Sequence, residues 1–488
     1  MSNLRETYKW IDEYNDKKLT PSPAAARFIE IVFDGERYES KALEHAQFRT
    51  TLPFARTECF AANFIDVHQL INNDANESIK NVYELTLQIK NKVIDYSPGD
   101  TIGILPQNSD EVVNVIIDKG SELKAKCHDS LHLKISAEAA TQKRVPKMPI
   151  FLPACQTSLY KLFQECVDFH AFPKKGFLSA LVNYNCLSDA TERRFLSILA
   201  SREGSALYTT EIFQQQTTFY ALLNRLHSWT FTIENVAVLL EHLPRLMPRP
   251  YSISNSPLTT ESSIDYDGQS TILKVIFSLN NPPGITTRML QQLIFKYEVE
   301  LTLKLDTRDQ FVNAYTRQSN HFQLTNGDLE RPLIMIAIGT GVAPFIGFLE
   351  HIQEQRKRKH TKKSFTWLIF GCRYKNKQIC GERLSEFVKD GTLSKLSECF
   401  SRDANTKTKY VQDCVRNEAT EISNLLTDAT GGIASKVFIC GNKKMSTDIR
   451  TAVEESLVKA AQCSAIDDAK LIVDELVKSG RYIEDIWI

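Results

Sequence analysis

Residues 331–351 read RPLIMIAIGTGVAPFIGFLEH, and this stretch decides the fold class of the C-terminal third of the chain. It begins with a continuous apolar run, turns at two glycines and continues with apolar residues at helical spacing. SFTWLIFGCR and KVFICGN repeat the strand-and-turn pattern further along, and a helical pattern follows each of them. Repeated strand–turn–helix units predict an open parallel α/β sheet, which we assign to residues 329–488.

The first two thirds of the chain have a different pattern. β-patterned runs occur at about 80–106 and return at 249–305 in RPYSISNS, TILKVIFSLN and EVELTLKL, while helical patterns fill the residues between them. This order predicts an antiparallel β-barrel at residues 51–328 that is interrupted by a helical insertion at about 107–245. Residues 1–50 are predicted to form a helix, LRETYKWIDEYNDKK, followed by a linker.

Composition excludes several classes of protein. The 488 residues include 59 Lys plus Arg and 59 Asp plus Glu, so a polybasic nucleic-acid binder is not indicated. Eleven cysteines without any CxxC pair favour a reducing compartment over a disulfide framework or a zinc module. The start of the chain is charged and its longest apolar stretch is interrupted by Gly, Thr and Pro. We therefore predict a cytoplasmic protein without a metal site and without nucleic-acid or membrane partners.

A glycine-rich turn, Gly339-Thr340-Gly341, lies between a predicted strand and a predicted helix. Glycines there let the backbone approach a diphosphate, and the N-terminus of the following helix favours negative charge. The last position of a full GxGxxG motif is occupied by Pro344, and a simple strand–helix turn has the same pattern. The turn is therefore a candidate nucleotide site that needs support from other segments.

That support comes from a loop further along the chain. Ser401 and Arg402 follow the strand-like LSKLSECF, and Lys409 and Tyr410 come shortly after them. Hydroxyl, guanidinium and ammonium groups at the end of a parallel strand suit the 2′-phosphate of NADPH. The alternative interpretation is an exposed loop with ordinary charges.

Two further segments suggest a second, flat cofactor. In the run from Arg249 to Ser252, Tyr251 could stack on an aromatic ring system while the arginine pairs with a phosphate. Gly284 to Thr287, GITT, could form a second phosphate loop at a helix N-terminus. Each segment alone could be an edge strand or a turn. Their occurrence together, in this order and ahead of the GTG turn, favours a shared cofactor-binding role.

The ordered set RPYS, GITT, GTGVAPF, FGCR, SRD with KYVQ, FICG and YIEDIWI resembles the ferredoxin-reductase-like half of the diflavin reductases over about residues 55–488. This resemblance implies a Greek-key β-barrel that binds FAD, with a helical insertion, and a Rossmann-like domain that binds NADPH. Within the family, FPKKGFLSALVNY and RYIEDIW are most similar to the branch that serves cobalamin-dependent methionine synthase.

The resemblance also implies which residues contact the two cofactors. The residues expected at FAD are Lys174, Arg249, Tyr251, Ser252, Val275, Ile276, Phe277, Gly284, Ile285, Thr286 and Thr287. The residues expected at NADPH are Gly339, Thr340, Gly341, Ser401, Arg402, Lys409, Tyr410 and Gln412. The expected catalytic residues are Ser252, Cys440 and Asp485, together with Trp487, which is expected to cover the flavin ring until nicotinamide displaces it.

Three segments depart from the family's pattern. The family's GPGTG reads AIGTG here, and Asn442 stands where the family has an aspartate on the adenosine side. Lys174 stands where related reductases have a phosphate-pairing arginine, and a lysine keeps the charge without the bidentate geometry.

The resemblance implies a reductase that takes hydride from NADPH onto FAD and passes electrons, through FMN in a complete family member, to the cobalamin of methionine synthase. Residues 1–50 are too few for a flavodoxin-like FMN domain, so we expect FAD without FMN in this chain and a separate FMN module as a possible partner. Two alternatives remain. One is a generic reductase or diaphorase that feeds another acceptor, and the other is a non-catalytic scaffold for a cobalamin enzyme. The intact catalytic set argues against the scaffold.

Overall fold

The computed structural model describes residues 8–23, 27–39, 44–72, 80–260, 264–265, 268–303, 310–318, 321–359, 364–403, 406, 408–427 and 433–487. The chain forms two compact units, one made of Met1–Pro53 and Leu105–Pro248 and the other of Phe54–Ile104 and Arg249–Ile488.

The strands, in chain order, are β1 (Ile29–Arg37), β2 (Phe60–Ile71), β3 (Val82–Ile89), β4 (Thr101–Ile104), β5 (Asp129–Ile135), β6 (Arg249–Ser252), β7 (Ile264–Asp265), β8 (Gly268–Gln269), β9 (Thr271–Ser278), β10 (Phe311–Arg317), β11 (Leu333–Ile338), β12 (Thr366–Cys372), β13 (Lys395–Phe400), β14 (Lys436–Asn442) and β15 (Tyr482–Trp487). The α-helices are α1 (Asp110–Ile117), α2 (Ser121–Lys126), α3 (Ala137–Ala140), α4 (Leu159–Glu165), α5 (Lys175–Asn183), α6 (Ala190–Ala200), α7 (Ser205–Tyr208), α8 (Phe219–Arg225), α9 (Ile233–His242), α10 (Pro257–Thr260), α11 (Ile285–Thr302), α12 (Ala343–Lys359), α13 (Gly381–Lys389), α14 (Val411–Asn417), α15 (Ala419–Thr427), α16 (Lys443–Lys459) and α17 (Ile466–Lys478).

The first unit is mainly helical, and the helical patterns predicted for the insertion are confirmed by α1, α4, α5, α6 and α9. Several of its helices begin at a side chain that accepts a hydrogen bond from a backbone N–H of the first turn, which satisfies a group the helix itself leaves unpaired. These capping residues are Ser109, Ser158, Asp189, Thr218 and Thr232.

The N-terminal segment differs from its prediction. Residues 29–37, predicted as part of a linker, form β1, which pairs antiparallel with β5. Among the described residues of the predicted N-terminal helix, only Lys9–Tyr14 is helical, as a 3₁₀ turn, and residues 4–7 of that prediction lie outside the described residues. Ile29 is buried in the core of the first unit, and the backbone N–H groups of Phe28 and Ile29 both donate to Glu241 Oε1 at 2.7 Å. The apolar residues at every second position of IEIVF, residues 29–33, are a strand signal that the linker prediction missed.

The second unit contains a six-stranded antiparallel sheet in the order β6-β4-β10-β2-β3-β9. An isolated antiparallel bridge between Ile253 and Val275 connects the two edge strands of this sheet. One face packs a buried apolar core that includes Phe64, Leu85 and Ile102.

Residues 298–302, predicted as a strand within EVELTLKL, instead end helix α11, so that prediction is wrong. Leu290, Ile294 and Tyr297 recur at helical spacing, and all three are buried against the core of the antiparallel sheet. This burial outweighs the alternating pattern of the following residues. The strand that the sheet uses instead is β10, between β4 and β2.

The predicted parallel sheet is confirmed by five strands in the order β13-β12-β11-β14-β15, with every neighbouring pair parallel. Helices follow β11, β12, β13 and β14, as the repeated strand–turn–helix pattern requires. In the part of the chain that the structure describes, no helix is both long enough and apolar enough to cross a bilayer.

Candidate functional site

A cavity of about 680 Å³ opens in the second unit where strands of the parallel sheet end. Such sheets bind ligands beyond the carboxyl ends of their strands, because the loops that follow the strands meet there. Its lining includes Gly339 and Thr340 after β11, Gly371 and Cys372 at the end of β12, and Ser401 after β13. The antiparallel sheet adds Ile71, Val82 and Ser278 to the lining, and Lys80, just before β3, joins them.

The glycine turn has the close-packed geometry that a dinucleotide site needs. Gly339 has a φ of +51°, a conformation that favours glycine. A Cβ on Gly341 would lie 2.3 Å from the carbonyl oxygen of Cys440 and 2.8 Å from Cη2 of Trp487. The absence of a side chain therefore lets β14 and the last strand approach the turn closely, and the backbone of the turn stays open to the cavity.

Cationic side chains dominate the polar lining. The predicted residues Ser401, Lys409, Tyr410 and Gln412 all line the cavity, whereas Arg402 is exposed and lies outside the lining. Sequence reasoning missed four further cations that line it, which are Lys80, Arg373, Lys377 and Lys444.

One of the missed cations, Arg373, could have been predicted from its position in the sequence. Arg373 comes directly after β12, where side chains of a parallel sheet face a ligand site, and its carbonyl accepts from the Arg402 N–H at 2.9 Å. Lys80 gave no signal, because it lies just before β3, far along the chain from the strands of the parallel sheet. With Asp448 the only acidic side chain among the lining residues described, the cavity fits a polyanion such as a nucleotide phosphate.

The predicted catalytic residues meet at one edge of the parallel sheet. The register of β14 with β15 sets Cys440 beside Asp485, and the Cys440 thiol donates to Asp485 Oδ2 at 3.9 Å. Ser252, at the end of β6, is a second hydrogen-bond partner of the Asp485 carboxyl group. The structure therefore brings together three side chains from three strands.

Burial governs the protonation of this cluster. Burial raises the pKa of Asp485 above its ordinary value, and the Arg317 guanidinium partly offsets that rise. Burial, followed by the nearby Asp485 carboxylate, raises the pKa of Cys440 well above its usual range. Cys440 is therefore a neutral thiol that can act as a hydrogen-bond donor, rather than a nucleophilic thiolate.

Trp487 lies next to this cluster. It pairs with Asn442 in the β14–β15 ladder, approaches Gly341 and lines the cavity. Its side chain remains 40% exposed, so a ligand entering the cavity can displace it without breaking a buried core.

The predicted flavin strand lies at the edge of the antiparallel sheet. Tyr251 is half-buried and meets Phe277 edge to face, with ring centroids 6.2 Å apart, and Phe277 in turn stacks on Tyr83 at 5.8 Å. Burial raises the pKa of Tyr251, which keeps the phenol neutral. The side chains of Val275, Ile276 and Phe277 are buried in the cores, so a cofactor at β9 would meet its backbone.

The predicted FAD phosphate loop begins a helix, as expected. Gly284 is the N-cap of α11, no side chain of the described residues caps this end, and Thr287 Oγ1 donates to the Gly284 carbonyl at 3.0 Å. The first N–H groups of a helix have no partner within it and suit an anionic phosphate, so the residues present fit FAD as well as NADPH. Lys174 belongs to the first unit, where it is the N-cap of α5, and its role stays a prediction.

Comparison with known protein families agrees with this site. Residues 52–267 match the FAD binding domain family, and residues 335–451 match the oxidoreductase NAD-binding domain family. An FAD-binding domain and an oxidoreductase NAD-binding domain in one chain define an NADPH-dependent flavoprotein oxidoreductase, which is the class that the sequence predicted.

Curated relatives narrow the class. Methionine synthase reductase of Homo sapiens is 30% identical over 444 residues, which are 87% of this chain and 60% of the human protein. The Rattus norvegicus protein of the same name is 31% identical over 473 residues, 93% of this chain and 64% of its own length. NADPH–cytochrome P450 reductase of Dictyostelium discoideum is 26% identical over 435 residues, which are 88% of this chain and 58% of the Dictyostelium protein. The chain is thus similar to these reductases over most of its own length, and it spans about three fifths of the length of these relatives.

The raised pKa of Cys440 leads to a prediction about thiol reactivity. In the folded protein at mildly alkaline pH, iodoacetamide should modify Cys440 at least about tenfold more slowly than the exposed Cys155, because only the thiolate reacts. Time-resolved peptide mass spectrometry measures both rates in one sample. Equal rates would show that Cys440 is not the buried neutral thiol described above.

Proposed function

We propose that this chain is the NADPH-oxidising, FAD-binding reductase that supplies electrons for the reductive reactivation of cobalamin-dependent methionine synthase, in the cytoplasm. When bound, FAD supplies the redox chemistry by accepting a hydride and releasing electrons singly. The observation that carries the proposal is the cluster of Ser252, Cys440 and Asp485 beside the Gly341 turn, at the edge of a cationic cavity.

The roles of the chain's own residues follow from their positions. Lys409, Arg373 and Lys444 are suited to hold nucleotide phosphates by charge-assisted hydrogen bonds. The Asp485 carboxylate, when ionised, stabilises positive charge that develops on a nicotinamide ring as hydride leaves it, and the Cys440 thiol holds that carboxylate in place.

We also infer that the antiparallel sheet closes as the Greek-key barrel typical of this class. Two features support the inference: the non-sequential strand order, and the bridge between Ile253 and Val275 that connects the edge strands. A closed barrel would hold β6 rigidly, and with it Tyr251 and Ser252.

The choice of methionine synthase as the final acceptor rests on the relatives. Those named methionine synthase reductase are 30–31% identical to this chain, whereas the Dictyostelium cytochrome P450 reductase is 26% identical. The generic diaphorase is the competing function, and it would need the same cavity and the same cluster.

The test is NADPH-driven methionine formation by cobalamin-dependent synthase, with and without a separately added flavodoxin-like FMN module. The chain purified with its flavin should contain about one FAD and no FMN, and it should reduce ferricyanide under both conditions. Methionine should form only with the module, and the rate should fall with salt, since docking by complementary charge is screened over ~8–10 Å. Flavin release and chromatography measure the cofactor content.

One control and two contrary outcomes make the test decisive. Omission of NADPH should abolish both activities. Methionine formation by the chain alone at the full rate would contradict the need for an FMN module. Ferricyanide reduction without methionine formation, even with the module present, would favour the diaphorase.

A further inference from the structure

Arg383 lies between two carboxylates that belong to different layers of the second unit. Its Nη1 donates to Glu84 Oε1 at 3.0 Å, and its Nη2 donates to Glu350 Oε1 at 3.2 Å. Glu84 is on β3 of the antiparallel sheet, while Glu350 is on α12 and Arg383 on α13, the helices that flank β12 of the parallel sheet. One guanidinium group therefore links the antiparallel sheet to the two helices that flank β12 of the parallel sheet.

The three charges are largely removed from solvent. The exposed fractions of the side chains are 5% for Glu84, 15% for Glu350 and 24% for Arg383. Burial opposes the charge on Arg383, but the two carboxylates outweigh it and raise the pKa of Arg383. Burial raises the pKa of Glu350, against the attraction of Arg383 and of Lys274. Loss of the guanidinium would leave two buried carboxylates close together, which is unfavourable.

The same carboxylates also hold the segment that follows the predicted flavin strand. The Ser256 N–H donates to Glu350 Oε2 at 3.1 Å, and Ser254 Oγ donates to Glu84 Oε1 at 3.5 Å. These serines come directly after β6, whose last residue is Ser252. The ion cluster thus ties the end of β6 to α12, the helix that begins just after the Gly341 turn.

The cluster stands apart from the cavity itself. Among the residues described, Glu84, Glu350 and Arg383 are not part of the cavity lining, although Val82 on the same strand and Ile379 near the start of α13 are. A change at Arg383 is therefore expected to move the walls of the site without removing a group that touches the nucleotide.

We propose that Arg383 is a positioning residue, which sets the geometry between the antiparallel sheet that carries Ser252 and the parallel sheet that carries Cys440 and Asp485. The inference rests on the proposed hydride-transfer function. A planar guanidinium bonds two carboxylates in fixed directions, and a lysine ammonium keeps the charge but not this geometry. Arg383→Lys is therefore the informative substitution, because it retains the positive charge beside both carboxylates.

The experiment is single-turnover reduction of protein-bound FAD in the full chain by NADPH and by NADPH deuterated at the transferred position. In R383K the rate constant for flavin reduction should fall about 10- to 100-fold, since a misplacement of about 1 Å costs that much in a transfer step. The kinetic isotope effect should rise, because hydride transfer becomes more fully rate-limiting. The dissociation constant of NADP⁺ should stay within about threefold, because no lining group is removed.

Two further variants separate positioning from stability. Glu84→Gln should slow flavin reduction less than R383K, and combining the two substitutions should add little, because both disturb one contact. The matched control is Lys357→Ala, which removes an exposed ion pair with Glu354 on α12 and should leave the rate unchanged.

The outcomes are distinguishable. A folded, FAD-loaded R383K chain with a rate within about twofold of the unmodified protein would overturn the inference. If R383K does not fold, an unchanged rate in E84Q would overturn it as well. Failure of the unmodified, FAD-loaded chain to be reduced by NADPH would instead reject the proposed function.

Discussion

Replacement of Lys409 by alanine should weaken NADPH binding about ten- to hundredfold, the loss expected for one hydrogen bond between charged groups. Lys409 lines the cavity beside Ser401 and Tyr410, in the loop predicted to hold the 2′-phosphate. NADH has no 2′-phosphate, so its affinity should hardly change, and the preference for NADPH should fall by the same factor. Titrations with NADPH and with NADH measure the two dissociation constants, and the ratio of these constants gives the preference for NADPH.

Arg402 permits a direct comparison within the same loop. The family pattern predicts a 2′-phosphate contact for Arg402, but the residue lies outside the cavity lining. If the Arg402 guanidinium turns toward bound nucleotide, Arg402→Ala should lower the ratio of NADPH affinity to NADH affinity as Lys409→Ala does. If it does not, Arg402→Ala should leave this ratio unchanged. Lys389→Ala, at the exposed end of α13, is the control and should have no effect. An unchanged ratio in both loop variants would reject this loop as the 2′-phosphate site.

Replacement of Trp487 by alanine should raise NADH turnover relative to NADPH turnover about 5- to 140-fold, which is the range expected for removing an aromatic stack worth roughly 1–3 kcal/mol. The indole approaches Gly341 and lines the cavity, so a nicotinamide ring has to displace it. NADPH has additional phosphate contacts that favour this displacement, whereas NADH does not. Without the indole, turnover with NADH should therefore rise more than turnover with NADPH.

Steady-state kinetics with both coenzymes and ferricyanide test this prediction. Trp487→Phe is the matched control, because a smaller ring can still stack and should keep most of the NADPH preference. Unaltered NADH kinetics in Trp487→Ala would mean that the C-terminal strand does not restrict access of nicotinamide to the flavin.

The sequence alone was sufficient where structure follows from local pattern. The apolar runs of β11, β12 and β14, each with a turn and a helix after it, predicted the parallel sheet, because strands buried on both faces read as continuous apolar segments. The turn at Gly339 and the helix start at Gly284 were also predictable, since glycine and helix-starting signals act over a few residues.

Tertiary structure decided the rest. Residues 298–302 are helical because Leu290, Ile294 and Tyr297 bury one face of α11, and no alternation within the segment itself reveals that burial. The contact of Ser252 with Asp485, the place of Lys80 in the cavity wall and the bridge from Arg383 to Glu84 all join residues far apart in the chain. A short-range pattern specifies the conformation of its own segment. Contacts between distant segments form only when the two sheets pack, so the tertiary structure decides which charges and hydrogen bonds meet at the site.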